Sequence, residues 1–102
     1  AVGQGESGKL YVSTSSPYVP KKIKEWANSN NVTVVQSKKP NVHAEESLHN
    51  FSDEKMVEIG SSKPICLDCE RGMKKNDIGF NPLNTKGERS NNRKSSDYTG
   101  RW

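Results

Sequence analysis

Two short motifs constrain this chain more than any other feature of its sequence: His43-Ala44-Glu45, and later Cys66-Leu67-Asp68-Cys69. One histidine and two cysteines suffice to hold a zinc ion and leave its fourth position to water. Residues i and i+2 do not share a face inside a helix, so His43 and Glu45 converge only at the start of one. Cys66 and Cys69, three residues apart, share a face at the start of another. The sequence therefore predicts two helix N-termini that meet at one edge of a sheet.

The length of the chain limits it to one small domain with a thin core. It has 102 residues, and its strong core formers are four Leu, four Ile, eight Val and two Phe. A bound metal would help such a core, because metal binding adds to the free energy of folding. No apolar run is long enough for a membrane span, and no signal peptide is recognised.

Composition divides the chain into three predicted segments. Residues 1–8 are rich in Gly and read as a linker at the boundary of a module within a longer protein. Residues 9–80 form the predicted core. Residues 81–102 show no periodicity and are predicted to be a basic, irregular segment. Between Asn84 and Trp102 there are five basic and two acidic residues, which is +3 of the total charge of +4. Such a segment suits either contact with a phosphate backbone or an ordinary solvated tail.

Local patterns predict the order β-α-β-α-β-α. In the first helix, Ile23, Trp26 and Ala27 fall on one apolar face with lysines on the other. Pro64 is expected in the first turn of the last helix, a position that tolerates proline. The predicted strands are 9–14, 32–36 and 55–59, and the predicted helices are 21–30, one beginning near 43, and 64–75. This alternation indicates an α/β fold, a three-layer α-β-α sandwich whose helices carry the two motifs.

Each motif alone has another interpretation. A Cys-x-x-Cys pair is also typical of structural zinc sites and of thioredoxin-type redox sites. A structural zinc would need a fourth ligand, and His49, six residues from His43, points away from it on a helix. A redox site would leave His43 and Glu45 without roles. The joint pattern, in which Cys66 follows His43 by 23 positions, favours a catalytic zinc over both alternatives.

The two motifs, each placed after a predicted strand, resemble those of the cytidine deaminase superfamily. The closest resemblance is to toxin deaminases that form C-terminal catalytic modules of bacterial polymorphic toxins, and it covers Asn41 to Met73. It implies that His43, Cys66 and Cys69 are the zinc ligands. It also implies that Glu45 is the proton shuttle of a hydrolytic deamination.

The resemblance further implies contacts with the base. Ala44 corresponds to the residue whose backbone N–H commonly meets the base carbonyl. The implied substrate contacts are Asn41, Ala44, Ser62 and Pro64. Two features depart from the family pattern. Ile65 separates Pro64 from Cys66, where the family has proline directly before the cysteine. In addition, a helix lies between the first two predicted strands, where the family has a β-hairpin.

The expected function is deamination of cytosine to uracil in nucleic acid by the catalytic domain of an interbacterial toxin. Single-stranded DNA, duplex DNA and RNA remain open as substrates, as does adenine in place of cytosine. We expect a monomer, delivered into the cytoplasm of a target cell, with a cognate immunity protein and no membrane partner. The alternatives are a deaminase of free cytidine or its nucleotides, and a non-enzymatic zinc-stabilised binding module.

Nucleic-acid contacts are expected first in the C-terminal segment, which mixes cations with aromatic rings. The basic residues are Arg89, Arg93, Lys94 and Arg101, and the rings are Tyr98 and Trp102. Packing of Trp102 on the sheet is the alternative. If the tail is not the nucleic-acid surface, the next candidates are Lys21, Lys22 and Lys24.

Overall fold

The computed structural model describes residues 1–15, 18–37 and 42–88. Within these ranges the α/β class and the predicted alternation of strands and helices are confirmed, and one further strand precedes them. The strands are β1 (Val2–Gly5), β2 (Leu10–Val12), β3 (Thr33–Val34) and β4 (Met56–Gly60), and the helices are α1 (Lys21–Ser29), α2 (Ala44–Phe51) and α3 (Leu67–Lys75). Among these helices none has the length and apolar character that crossing a membrane requires.

The first strand lies inside the sheet, so the prediction of a linker at residues 1–8 was wrong. The sheet order is β3-β2-β1-β4, and β1 pairs antiparallel with both neighbours. Its sequence, Val-Gly-Gln-Gly, has a single β-branched residue, so it carries almost no intrinsic strand signal. A side chain at Gly3 would place its Cβ 2.7 Å from Sδ of Met56. Close packing of the neighbouring core therefore requires the glycine that made this segment look like a linker.

Helices cover both faces of the sheet. Tyr11 and Val12 are consecutive in β2, so their side chains point to opposite faces. Tyr11 belongs to the larger core, to which α2, β4 and α3 contribute Leu48, Met56, Ile59, Cys69 and Met73. Val12 belongs to a smaller core with Ala27 and Val32, against which Ile23 and Val34 pack. The site-bearing helices α2 and α3 thus contribute to one core, and α1 contributes to the other.

Helix α1 presents its aromatic residue to the outside rather than to the core. Ala27 is fully buried, but Trp26 remains 44% exposed. The prediction that Trp26 and Ala27 face the core together was therefore wrong for the tryptophan. The smaller core is filled by Ala27, Val12 and Val32.

A register irregularity in β4 brings two of its apolar residues to the same face of the sheet. Gln4 pairs with Glu58 and Gly5 pairs with Met56, so an extra residue of β4 is accommodated between these pairs. Such a bulge shifts the side-chain alternation by one residue. Met56 and Ile59, three positions apart, are consequently both buried in the larger core. Their burial fixes the strand that leads towards the Cys-x-x-Cys motif.

A polar cluster links the β1–β2 turn to the start of β4. The buried Tyr11 hydroxyl lies within hydrogen-bonding distance of the Asp53 and Glu54 carboxylates. Glu54 also accepts hydrogen bonds from the Ser7 backbone N–H at 2.8 Å and from the Ser7 hydroxyl at 2.7 Å. The bonds from Tyr11 and then Ser7 lower the pKa of Glu54 below its usual 4.5.

This lowered pKa predicts a pH-dependent stability. The ionised Glu54 stabilises the fold above pH 4.5, and that stabilisation is lost as the pH falls through its lower folded-state pKa. Glu54→Gln should remove this part of the acid dependence in urea unfolding measured at stepped pH. Glu58→Gln, which removes an exposed carboxylate on β4, is the control. Equal acid dependence in Glu54→Gln and the unaltered protein would contradict the prediction.

Candidate metal centre

Both motifs lie at helix N-termini, as predicted. His43 is the N-cap residue of α2, with φ −66° and ψ 154°, and Cys66 is the N-cap residue of α3, with φ −71° and ψ 163°. Neither side chain makes a capping hydrogen bond to its own helix. Instead, Sγ of Cys66 lies 3.3 Å from Nδ1 of His43. The two helix starts therefore converge through their side chains.

The last helix begins three residues later than predicted, at Leu67 rather than at Pro64. Ile65 explains the difference, because the following loop holds it in an isolated parallel bridge. Its N–H donates to the Asn84 carbonyl at 2.8 Å, and its carbonyl accepts from the Lys86 N–H at 2.7 Å. Both backbone groups of Ile65 are thus used outside the helix. Cys66 consequently becomes the N-cap residue.

The three predicted ligands form one cluster. Nδ1 of His43 lies 3.3 Å from Sγ of both cysteines, and the three ligand atoms lie within 4.8 Å of one another. A tetrahedral zinc with its usual bond lengths separates a nitrogen and a sulfur ligand by about 3.6 Å. The donor set of imidazole and two thiols is one that zinc prefers. These residues therefore fit a zinc ion, and only small shifts of the side chains would be needed.

The surroundings of Cys66 favour its thiolate. A hydrogen bond from the Cys69 side chain is the main cause that lowers the pKa of Cys66, to about 4, with a smaller contribution from His43. Burial acts in the opposite direction but is outweighed. The position at the N-terminus of α3 is also favourable for a negative charge. Cys66 is thus in the form that binds metals at neutral pH.

A cavity of about 1120 Å³ opens onto this cluster. It lies at the end of the sheet where β2 and β4 finish, and its wall includes His43 and Cys66. Cys69 is fully buried behind them. Glu45, the second residue of α2, also lines the wall and is only 7% exposed. Glu45 and two of the three candidate metal ligands therefore line one cavity.

The cluster of potential ligands among the described residues contains neither Glu45 nor His49. These three members would supply three protein ligands to a zinc ion, and structural zinc sites usually have four. Of the substrate contacts implied by the resemblance, Ala44, Ser62 and Pro64 line the cavity. Asn41 lies outside the described residues.

Several other wall residues were missed in the sequence. They are Ser13, Ile23, Trp26, Lys63 and Lys86. The Ser13 hydroxyl donates to the Ala44 carbonyl and so links the end of β2 to the start of α2. No local motif marks Ser13 or Lys86, because the long-range pairing of their segments brings them to the cavity. Lys63 is the exception, since it lies next to the predicted contacts Ser62 and Pro64.

Comparison with known proteins gives no match: no protein-family profile, curated protein or solved structure shows significant similarity to this chain.

Proposed function

We propose that this domain is a zinc-dependent hydrolytic deaminase that converts cytosine to uracil within nucleic acid. One observation carries the proposal: two members of the three-ligand cluster, His43 and Cys66, line a cavity whose wall also includes the buried residue Glu45. Three ligands, an open position and a nearby acid/base group are what hydrolytic deamination of a nucleobase requires.

In this proposal His43, Cys66 and Cys69 would hold the zinc, which when bound polarises a water molecule for attack. The reaction replaces the exocyclic amino group of cytosine with oxygen from water and releases ammonia. Glu45 accepts a proton from the water and delivers it to the ring nitrogen. It then helps to protonate the departing amine. Ala44, at the first position of α2, lines the cavity, and in this proposal its backbone N–H holds the base carbonyl.

The β1–β2 hairpin adds support from the fold. The resemblance implies a β-hairpin at the start of the core, which the sequence patterns lacked. Val2–Gly5 and Leu10–Val12 form such an antiparallel pair, and α1 follows it. The helix that looked like a departure from the family layout therefore comes after the hairpin rather than replacing it.

The alternatives fit the site less well. A non-enzymatic zinc module would use a closed set of four ligands, whereas the cluster among the described residues has three and opens into a cavity. A deaminase of free cytidine needs room for one nucleoside. A cavity of about 1120 Å³, with Lys63 and Lys86 in its wall, has room and charge for a phosphate-linked substrate.

The biological setting rests on the resemblance alone. As a toxin module the domain would act in the cytoplasm of a target bacterium after delivery. The producing cell would then need an immunity protein that covers the cavity. The C-terminal cations proposed to assist binding, Arg89, Arg93, Lys94 and Arg101, lie outside the described residues.

An assay with purified zinc-loaded protein tests the proposal. We expect cytosine-to-uracil conversion in single-stranded DNA, duplex DNA or RNA, detected by sequencing. Deamination of free cytidine, measured by the release of ammonia, should be much slower. Faster turnover of free cytidine would favour the nucleoside enzyme. Conversion of adenosine to inosine would show that the target base is adenine rather than cytosine. No deamination of any of these substrates would refute the proposed reaction.

A further inference from the structure

An exposed tryptophan is part of the cavity wall. Trp26 on α1 is 44% exposed, although the next residue, Ala27, is fully buried in the smaller core. The cavity that Trp26 lines also contains His43 and Glu45. A large, partly exposed aromatic side chain therefore lines the same cavity as the candidate chemistry. Nucleobases stack on such faces.

The charge of the cavity wall complements phosphate. Among the described wall residues, Glu45 is the only acidic one, and the proposed reaction already uses it. Lys63 and Lys86 are both exposed and come from the segments that flank Ile65. Lys86 has a distant ion pair with Glu88, at 3.9 Å between Nζ and Oε1, in which the Lys86 side chain is 39% exposed and the Glu88 side chain 73% exposed. Such a pair is weak, so Lys86 remains available to an anion.

We propose that Trp26, Lys63 and Lys86 form a binding strip for a single-stranded polynucleotide, in which Trp26 stacks a base next to the target and the lysines contact phosphates. This inference rests on the proposed function and specifies its substrate. A base inside a duplex already has neighbours on both faces, whereas an unpaired base has a face free for Trp26. The strip therefore selects single strands by stacking, and the lysines add affinity for any sequence.

Binding can be measured without turnover, so its outcome is separate from that of the proposed reaction. The zinc-loaded protein is titrated into fluorescein-labelled DNA and RNA oligonucleotides of one sequence, each as a single strand and as a duplex, and fluorescence anisotropy is recorded. Trp26→Leu keeps an apolar side chain on α1 but removes the ring. We expect at least about five-fold weaker binding to single strands, because stacking on an aromatic ring contributes about 1–3 kcal/mol per base.

Matched variants separate binding by the strip from the effects of removing any exposed aromatic ring or any exposed positive charge. Tyr18→Ala removes another exposed aromatic residue that is not among the wall residues, and it should bind like the unaltered protein. Lys63→Ala with Lys86→Ala should lower the slope of log K against log salt by about 1.4, since each single-strand phosphate contact contributes about 0.7. The exposed Lys55 and Lys75, which also lie outside the cavity wall, provide the control pair.

Stacking also has a direct spectroscopic signature. The chain has two tryptophans, so Trp102→Phe leaves Trp26 as the single indole reporter. Its fluorescence should be quenched by a single-stranded oligonucleotide and not by the duplex. Equal affinity for single strands and duplexes, or unchanged binding by Trp26→Leu, would overturn the strip. If the strip binds as expected and nothing is deaminated, the strip stands and the proposed reaction fails.

Discussion

Replacing both Cys66 and Cys69 by alanine is expected to abolish zinc binding and to destabilise the domain strongly. Both thiols lie 3.3 Å from Nδ1 of His43, and both belong to the larger core. Removing them leaves one ligand for the metal. A free zinc concentration 1,000 times the dissociation constant would stabilise the native protein by about 4 kcal/mol, and the variant loses that contribution. Metal analysis should give about one zinc per chain for the unaltered protein, as a single site requires.

The control for this experiment is the unaltered protein treated with a chelator. Its thermal unfolding shows the effect of the metal alone, and any further loss in the double variant comes from the core volume of the two buried side chains. Ser61→Ala, in the cavity wall but with no predicted ligand role, should keep its zinc. A double cysteine variant that still binds one zinc per chain would refute the assigned ligands.

Glu45→Gln is expected to reduce deamination by at least about 10²-fold, within the range of 10² to 10⁴ for a positioned acid/base group. The amide keeps the shape of the side chain but cannot accept the proton. Since Glu45 lies outside the ligand cluster, the variant should retain zinc and its unfolding temperature. The deamination rate, zinc content and thermal unfolding are measured on the same preparation.

Glu58→Gln, an exposed carboxylate on β4 that is not among the cavity-wall residues, is the matched control and should be fully active. If the domain acts as the proposed toxin module, expression of the unaltered protein in bacteria should be lethal, whereas the Glu45 variant should be tolerated. Equal deamination rates for the Glu45 variant and an active unaltered protein would refute the mechanism. Loss of zinc from this variant would instead assign Glu45 to the metal.

The site was largely predictable from sequence because its key residues are close to helix starts. His43 and Cys66 are N-cap residues with extended backbone, and the spacing to Glu45 and Cys69 fixes where those residues fall in the first turn. Such local relations are visible in sequence. What the metal does, and which substrate the cavity takes, depend on chemistry that these spacings only indicate.

The remaining features depend on contacts between distant segments. The glycine-rich β1 becomes a strand through pairing with β2 and β4, which no pattern within residues 1–8 reveals. Trp26 fits an apolar helix face equally well whether it is buried or in a cavity wall. Lys86 reaches the cavity because its N–H bonds to the Ile65 carbonyl, 21 positions earlier in the chain. In each case the position of the segment or side chain is set by residues that are distant in the sequence.

The central position of β1 also joins the start of the chain to the strand that lies between the two motifs. Val2 pairs with Gly60 at the end of β4, the strand that connects the His43 and Cys66 segments. We therefore expect the pairing of β1 in the sheet and the assembly of the ligand cluster to be thermodynamically linked, so that whatever favours one favours the other. A substitution in β1 that touches no ligand would lower the affinity for zinc. Measured zinc affinity would then report on strand pairing at the start of the sequence.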